Sequence, residues 1–311
     1  MELIRGLYNL RDHHRGCVAT IGNFDGVHLG HQQVLTRLRE QAQERNLPST
    51  VILFEPQPLE FVAPERAPRR ITRLREKIRL LQAQGIDRVV CLRFDAQLQN
   101  LSAMDFVQRL LIDGLAVKHF VVGDDFRFGR QRQGDFALLH AAGIEHGFSV
   151  QSTASCCSQG VRLSSTAIRE ALEKHDLPEA EKLLGRPYDI TGKVAKGQQL
   201  GRTIGVPTAN IRLQNKQPAL QGVYATRIVG LDNKIYEGVA NVGYRPTVAG
   251  LQPQLEVHIF DLQADLYGRH LQVEFCLFIR AEQKFAGLPE LKQQISQDIA
   301  AAKDFFAATK T

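Results

Sequence analysis

The chain has 311 residues, of which 43% are hydrophobic and 23% charged, with a formal net charge of +6 at pH 7. That balance is typical of a soluble globular protein of one large or two ordinary domains, and no run approaches the ~20 apolar residues of a membrane span. Five cysteines, an odd number with no C-x-x-C pair, argue against a disulfide framework. The opening Met1-Glu2-Leu3-Ile4-Arg5 lacks a charged-then-apolar leader, so the expected location is reducing and cytoplasmic.

Short apolar runs predict strands at 17–21, 50–54, 88–92, 119–122 and 148–151. Between them, helical periodicity falls at 31–45, 72–84, 102–112, 134–146 and 165–174. Strand and helix alternate, which predicts a parallel sheet with helices on both faces, a Rossmann-like α/β domain. After the first strand comes Gly22-Asn23-Phe24-Asp25-Gly26-Val27-His28-Leu29-Gly30-His31. In an open α/β sheet, ligands bind where a strand ends and a helix begins, and the free N–H groups of the helix suit phosphate. His28 and His31, three apart, share a face of the first helical turn and can donate to phosphate oxygens. Without a nearby Cys or a further His, the pair lacks a tetrahedral zinc set.

The excess positive charge concentrates at Arg66, Arg69, Arg70, Arg73, Arg75, Lys77 and Arg79. Trp is absent and no aromatics alternate with these residues, so a solvated helix face is favoured over a nucleic-acid surface. Phe54-Glu55-Pro56-Gln57-Pro58 ends the second strand, its prolines stiffening the loop. Gly123-Asp124-Asp125-Phe126-Arg127-Phe128-Gly129 ends the fourth, with aromatics that can stack on a planar ring and an Arg that can pair with phosphate. In Ser164-Ser165-Thr166-Ala167-Ile168-Arg169, hydroxyls cap a helix whose free amides, with Arg169, can hold a triphosphate.

Beyond Gly185-Arg186-Pro187 the periodicity changes to two. Runs at 222–229, 236–242, 255–260 and 271–278 predict an antiparallel sheet or small barrel, followed by a terminal helix at 288–308. The expected domains are therefore 1–184 and 185–311. The second opens with a glycine-rich run carrying Gly197, Gly201, Arg202, Gly205, Pro207, Thr208 and Asn210. The glycines permit close backbone approach to phosphates, although the run is not a Walker-type P-loop. Thr208 and Asn210 bring oxygens suited to Mg²⁺. Glu256 lies on the strand face opposite Leu255 and Val257, either at solvent or lining a cleft, with Glu274 its nearest rival as a functional carboxylate.

These segments, in this order, resemble the prokaryotic bifunctional riboflavin kinase/FAD synthetase family. The first half carries GNFDGVHLGH, whose HxGH is similar to the nucleotidyltransferase signature, then FEPQP, GDDFRFG and SSTAIR. The second carries Pro207-Thr208-Ala209-Asn210, Gly222-Val223-Tyr224, the run from Gly238 to Thr247, and Leu255-Glu256-Val257-His258-Ile259-Phe260-Asp261. It continues through Asp265-Leu266-Tyr267-Gly268 to Lys284-Phe285. One departure is Gln57, where the family usually has His.

The resemblance implies two reactions, riboflavin + ATP giving FMN, and FMN + ATP giving FAD and pyrophosphate, both helped by Mg²⁺. It implies that Gly22, Asn23, Phe24, Asp25, His28 and His31 serve the ATP phosphates, and that Ser164, Ser165, Thr166 and Arg169 serve the leaving pyrophosphate. Asp125, Phe126 and Arg127 would serve the flavin or the adenine side. In the kinase module, Gly197, Gly201, Arg202, Gly205, Pro207, Thr208 and Asn210 would bind ATP, flavin and Mg²⁺, and Glu256 would accept the proton of the riboflavin hydroxyl. The implied partners are small-molecule flavins and ATP, with no nucleic acid and no membrane. Two alternatives remain open: a nucleotidyltransferase with another phosphate acceptor, which leaves the second half unexplained, and a non-catalytic flavin- or nucleic-acid-binding regulator.

Overall fold

The computed structural model describes residues 1–124, 126–153, 157–158, 161–196, 205–213, 218–231, 234–247 and 250–309. They form two compact units, Met1–Pro68 with Thr72–Ser164, and Arg69–Ile71 with Ser165–Thr311.

In the first unit, β1 (Glu2–Arg5), β2 (Val18–Ile21), β3 (Ser49–Glu55), β4 (Arg88–Arg93), β5 (His119–Gly123) and β6 (Ser149–Thr153) form a sheet. Its order is β1-β4-β3-β2-β5-β6 and every pairing is parallel. Side chains alternate between two cores. Val18, Val51, Leu53, Val89 and Val121 face Leu35, Leu38 and Leu81. Ala19, Ile52, Val90, Phe120 and Val122 face Phe106, Leu110, Leu111 and Leu139. Both faces are covered, so the central strands read as continuous apolar runs. The chain leaves β2 toward β3 on one side and returns to pair β5 on the other, so β2 lies at the switch of winding direction. Ligands of open α/β sheets bind at that switch. The edge strand β1 escaped the sequence reading because it is short and ends in the exposed Glu2 and Arg5. A small hairpin, β7 (Cys157–Ser158) with β8 (Val161–Arg162), completes the strands of this unit.

In the second unit, β9 (Asp189–Ala195), β10 (Ala209–Arg212), β11 (Gly222–Leu231), β12 (Lys234–Thr247), β13 (Gly250–Ile259) and β14 (His270–Arg280) close into an antiparallel barrel. The order is β10-β13-β12-β11-β14-β9, with β9 pairing β10 to close it. The expected glycine-rich run thus has strands at both ends, β9 and β10, which its low apolar content hid. The helices Ser165–Glu173 and Leu177–Leu184 group with the barrel, so the compact unit starts before residue 185. His175, between them, stacks on Phe278 at 3.7 Å, and its Nδ1 lies 2.7 Å from the Tyr224 hydroxyl. That hydroxyl donates to the Gln221 carbonyl, so it accepts the imidazole N–H.

The helix Leu288–Ala308 covers Val223, Ala225, Val239 and Phe260 with Ala302 and Phe306. Its anchor is the buried Asp298, which takes Nε and Nη2 of Arg280 at 2.9 and 2.7 Å. A two-pronged pair with one partner buried is costly to break. Asp298→Ala is expected to lower stability by about 3 kcal/mol in chemical unfolding, with hydrogen exchange accelerated first in 288–308.

Candidate functional site

The turn after β2 is built from uncommon backbone. Phe24, Gly26 and Val27 have φ of 45°, 85° and 42°. A β-branched Val in the left-handed region is strained by about 1–3 kcal/mol. Two interactions hold it there. Phe24 and Val27 are buried in the core against Leu35 and Leu38. Asp25, also buried, accepts from the Thr72 backbone N–H at 2.9 Å and from the Thr72 hydroxyl at 3.0 Å, while Gly26 N–H donates to that hydroxyl. Asp25, expected among the ATP residues, also braces the turn.

The turn delivers His28 as the N-cap of the helix Leu29–Glu44 and His31 into its first turn. The His31 backbone N–H donates to His28 Nδ1 at 3.3 Å, so neutral His28 carries its proton on Nε2. The rings stack at 3.6 Å and 20°. His31 Nδ1 is enclosed and has no hydrogen-bond partner among the described residues. Burial first, then the charges of His28 and Lys77, hold the His31 pKa well below its ordinary value. His31 is therefore neutral near pH 7. Gly30 is needed between them: a Cβ there would lie 3.2 Å from the His28 ring and 3.3 Å from the Leu163 carbonyl oxygen.

The neighbouring segments are placed as follows. Gln57 is buried beyond the end of β3, next to β2 in the sheet, and its Nε2 has no partner among the described residues. Phe126 stacks on Phe128 at 5.3 Å, and Phe128 packs on Phe106 in the core, so these rings are used largely by the fold. Arg127 is exposed and donates to the Phe126 carbonyl. Asp125 lies outside the described residues. Ser164 closes the first unit, while Ser165, Thr166 and Arg169 lie on a helix grouped with the second. There Arg169 Nε donates to the Arg69 carbonyl at 2.6 Å.

The expectation of a solvated basic face at 66–79 is corrected. Only Arg66 and Arg75 of that set are exposed. Arg70 and Lys77 are buried, along with Thr72 and Glu76. The reason is local: Thr72 must reach Asp25, and Arg73 folds onto Glu76 at 2.7 Å to start the helix Leu74–Ala83. Sequence reasoning missed Thr72 and read the buried Lys77 as solvated. Their only signal was a polar pair beside an apolar helix start.

In the barrel, Leu255 and Val257 are fully buried, and Glu256 sits on the opposite, outer face of β13. Asn210 on β10 and Asn241 on β12 are its register partners on either side. Asn210 Nδ2 donates to the Thr208 carbonyl at 3.2 Å, and His258 Nδ1 lies 2.8 Å from the Pro207 carbonyl. Thr208 precedes β10 and Gly205 turns at φ 81°. Glu274, on β14, pairs in register with Arg227 and Asp189 instead, away from Asn210. Gly197, Gly201 and Arg202 lie outside the described residues. The oxygens of Asn210 and Glu256 on adjacent strands form a hard donor set of the kind Mg²⁺ takes.

One further group, Glu2, His13 and His14, brings donors within 4.8 Å of one another. His14 Nδ1 accepts the Arg11 N–H, so its Nε2 carries the proton and donates to Glu2 at 2.9 Å. It is a hydrogen-bonded network that lowers the Glu2 pKa, not a set of metal-facing lone pairs.

Two family models match the chain. FAD synthetase covers residues 10–167 and riboflavin kinase covers 184–306. The Escherichia coli K12 protein named bifunctional riboflavin kinase/FMN adenylyltransferase is 54% identical over 311 residues, covering 100% of this chain and 99% of its own. This chain belongs to the bifunctional riboflavin kinase/FMN adenylyltransferase family. The Pseudomonas fluorescens and Haemophilus influenzae proteins of that name are 52% and 50% identical, over 97% and 98% of this chain and 97% and 99% of their own. A crystal structure named as a macrolide-efflux protein from Streptococcus pneumoniae superposes with a TM-score of 0.75 at 29% identity, covering 96% of this chain and 97% of its own. Among the described residues here, no helix is long and apolar enough to cross a membrane. The FAD synthetase match spans strands β2 to β6 of the parallel sheet with the histidine turn, and the riboflavin kinase match spans the barrel with Glu256.

The lowered His31 pKa sets a pH dependence. The unfolded chain takes up this proton near pH 6.5, whereas the folded chain resists it, so stability falls as pH drops below about 6.5, by up to ~1.4 kcal/mol per pH unit. His119 and His175 are lowered by burial too and add in the same direction. Unfolding between pH 7.5 and 5.5 should show this slope, and His31→Gln should make it shallower. Gly30→Ala should push the His28 ring aside and cut FMN adenylylation at least about tenfold, with riboflavin phosphorylation unchanged.

Proposed function

We propose that the residues of the FAD synthetase motifs move an adenylyl group from ATP to FMN and that those of the riboflavin kinase motifs move a phosphoryl group from ATP to riboflavin, with separate sets of residues. The observation that carries the first reading is the enclosed, unpartnered Nδ1 of a neutral His31 stacked on His28 at the switch point of the sheet. The imidazole N–H groups of His28 and His31 and the N–H groups of the helix start donate to ATP phosphate oxygens, and these bonds gain strength as charge develops there. An FMN phosphate oxygen attacks the α-phosphorus in line. The bond to the bridging oxygen breaks and pyrophosphate leaves. Gly22, Asn23, Phe24 and Asp25 shape this turn around the ATP phosphates. Ser164, Ser165, Thr166 and Arg169 take the pyrophosphate, and Phe126 and Arg127 serve the flavin or the adenine side, with Asp125.

In the second unit, the pairing of Glu256 with Asn210 across β13 and β10 supports Glu256 over Glu274 as the base. Glu256 takes the proton of the riboflavin 5′-hydroxyl as that oxygen attacks the γ-phosphorus of ATP and ADP leaves. Thr208 and Asn210 would hold Mg²⁺, which when bound would supply positive charge to offset that of the phosphate oxygens. Gly205 and Pro207, with Gly197, Gly201 and Arg202, line the nucleotide and flavin. The riboflavin kinase match, which begins at residue 184, supports a domain division near residue 185, the two helices before it serving as a connection built onto the barrel. Free thiols at Cys17, Cys91 and Cys276 support a reducing, cytoplasmic setting.

Incubation with riboflavin, ATP and Mg²⁺, followed by separation of the flavins, should yield FMN and then FAD. Glu256→Gln should abolish FMN formation while supplied FMN is still converted to FAD, and His31→Ala should do the reverse. Loss of both products in either folded variant contradicts two separate sites.

A further inference from the structure

Gln254 lies two residues before Glu256 on β13 and therefore on the same outer face. Its single amide nitrogen donates twice, to Glu256 Oε1 at 2.9 Å and to Asn210 Oδ1. Both of its N–H bonds are thus directed at the two oxygens that the proposed kinase site uses. Asn210 is held at both ends, its Nδ2 on the Thr208 carbonyl and its Oδ1 on Gln254. Asn210 also sits directly opposite Glu256 in the β10–β13 register, where cross-strand side chains are ~5 Å apart.

We infer that Gln254 is a positioning residue for phosphoryl transfer, forcing Asn210 to present its oxygen, not its NH₂, toward Glu256. This rests on the reading of Glu256 and Asn210 as kinase residues. The physical alternative is simple. An amide beside a carboxylate gains most by turning its NH₂ toward it, because hydrogen bonds to charged groups are the strong ones. An Asn210 turned that way would tie up the base and present hydrogens to any cation. Gln254 supplies the donor that Glu256 would otherwise take from Asn210, and caps Asn210 Oδ1 with its second hydrogen. The arrangement leaves a carboxylate and an amide oxygen side by side, aligned from the same nitrogen.

The test compares the full chain with Gln254→Met, which keeps length and removes both donors, and Gln254→Glu, which adds a like charge. Gln254→Met is expected to lower kcat for riboflavin phosphorylation about tenfold, with the riboflavin KM within about twofold and the unfolding midpoint unchanged. Gln254→Glu is expected to lower kcat further. In ¹⁵N spectra without ligand, the Asn210 side-chain NH₂ signal should shift in Gln254→Met as it changes partner from the Thr208 carbonyl to Glu256. Glu256→Gln is measured alongside. If Glu256→Gln is inactive while Gln254→Met keeps wild-type kcat and an unshifted Asn210 signal, the inference is overturned. If Glu256→Gln is fully active, the kinase reading beneath it fails instead.

Discussion

The buried contact between Asp25 and Thr72 is the interaction on which the first site depends. A turn with Phe24 and Val27 in the left-handed region would relax if left to itself. Two hydrogen bonds from Thr72 to one carboxylate oxygen, plus the Gly26 N–H on the same hydroxyl, pin it from a segment 47 residues away in sequence. Everything downstream follows from that fixed turn. The helix begins at Leu29, His28 caps it, and the two imidazoles stack, with burial holding the His31 pKa well below its ordinary value. A neutral His31 is suited to donating a hydrogen bond to phosphate without the cost that a buried cation would carry.

The barrel solves a related problem with different means. β13 alternates between buried and half-buried residues, so the buried Leu255 and Val257 oblige Glu256 to face outward. The register then sets Asn210 and Asn241 on either side of it. Here the backbone ladder does the positioning that strained turn geometry does in the first unit. Side-chain amides refine it.

Much of this was legible in the chain. Parallel strands buried on both faces read as unbroken apolar runs, and β2 to β6 were placed within two residues at each end. The barrel strands β11 to β14 showed through period-two alternation, although β12 and β13 extend well beyond their apolar cores. The edge strand β1 and the polar strands β9 and β10 did not, because their partners, not their own composition, make them strands. The histidine turn and the Pro207–Asn210 segment were visible as motifs. The Thr72 brace, the burial of Lys77 and the double donation by Gln254 were not, since each depends on a partner remote in sequence or on the face a strand presents. The aromatics of 126–128 read in the sequence as residues that can stack on a ligand; that Phe126 also stacks on Phe128 depends on the fold and was not legible.

The account's central claim is that the braced turn governs adenylyl transfer alone. Thr72→Val keeps the shape and removes the hydroxyl that bridges Asp25 and Gly26. Measured on one preparation, FAD formation from FMN should fall at least about tenfold, while riboflavin phosphorylation keeps its wild-type rate. Unchanged FAD formation, or an equal fall in both rates in a folded protein, would contradict the account.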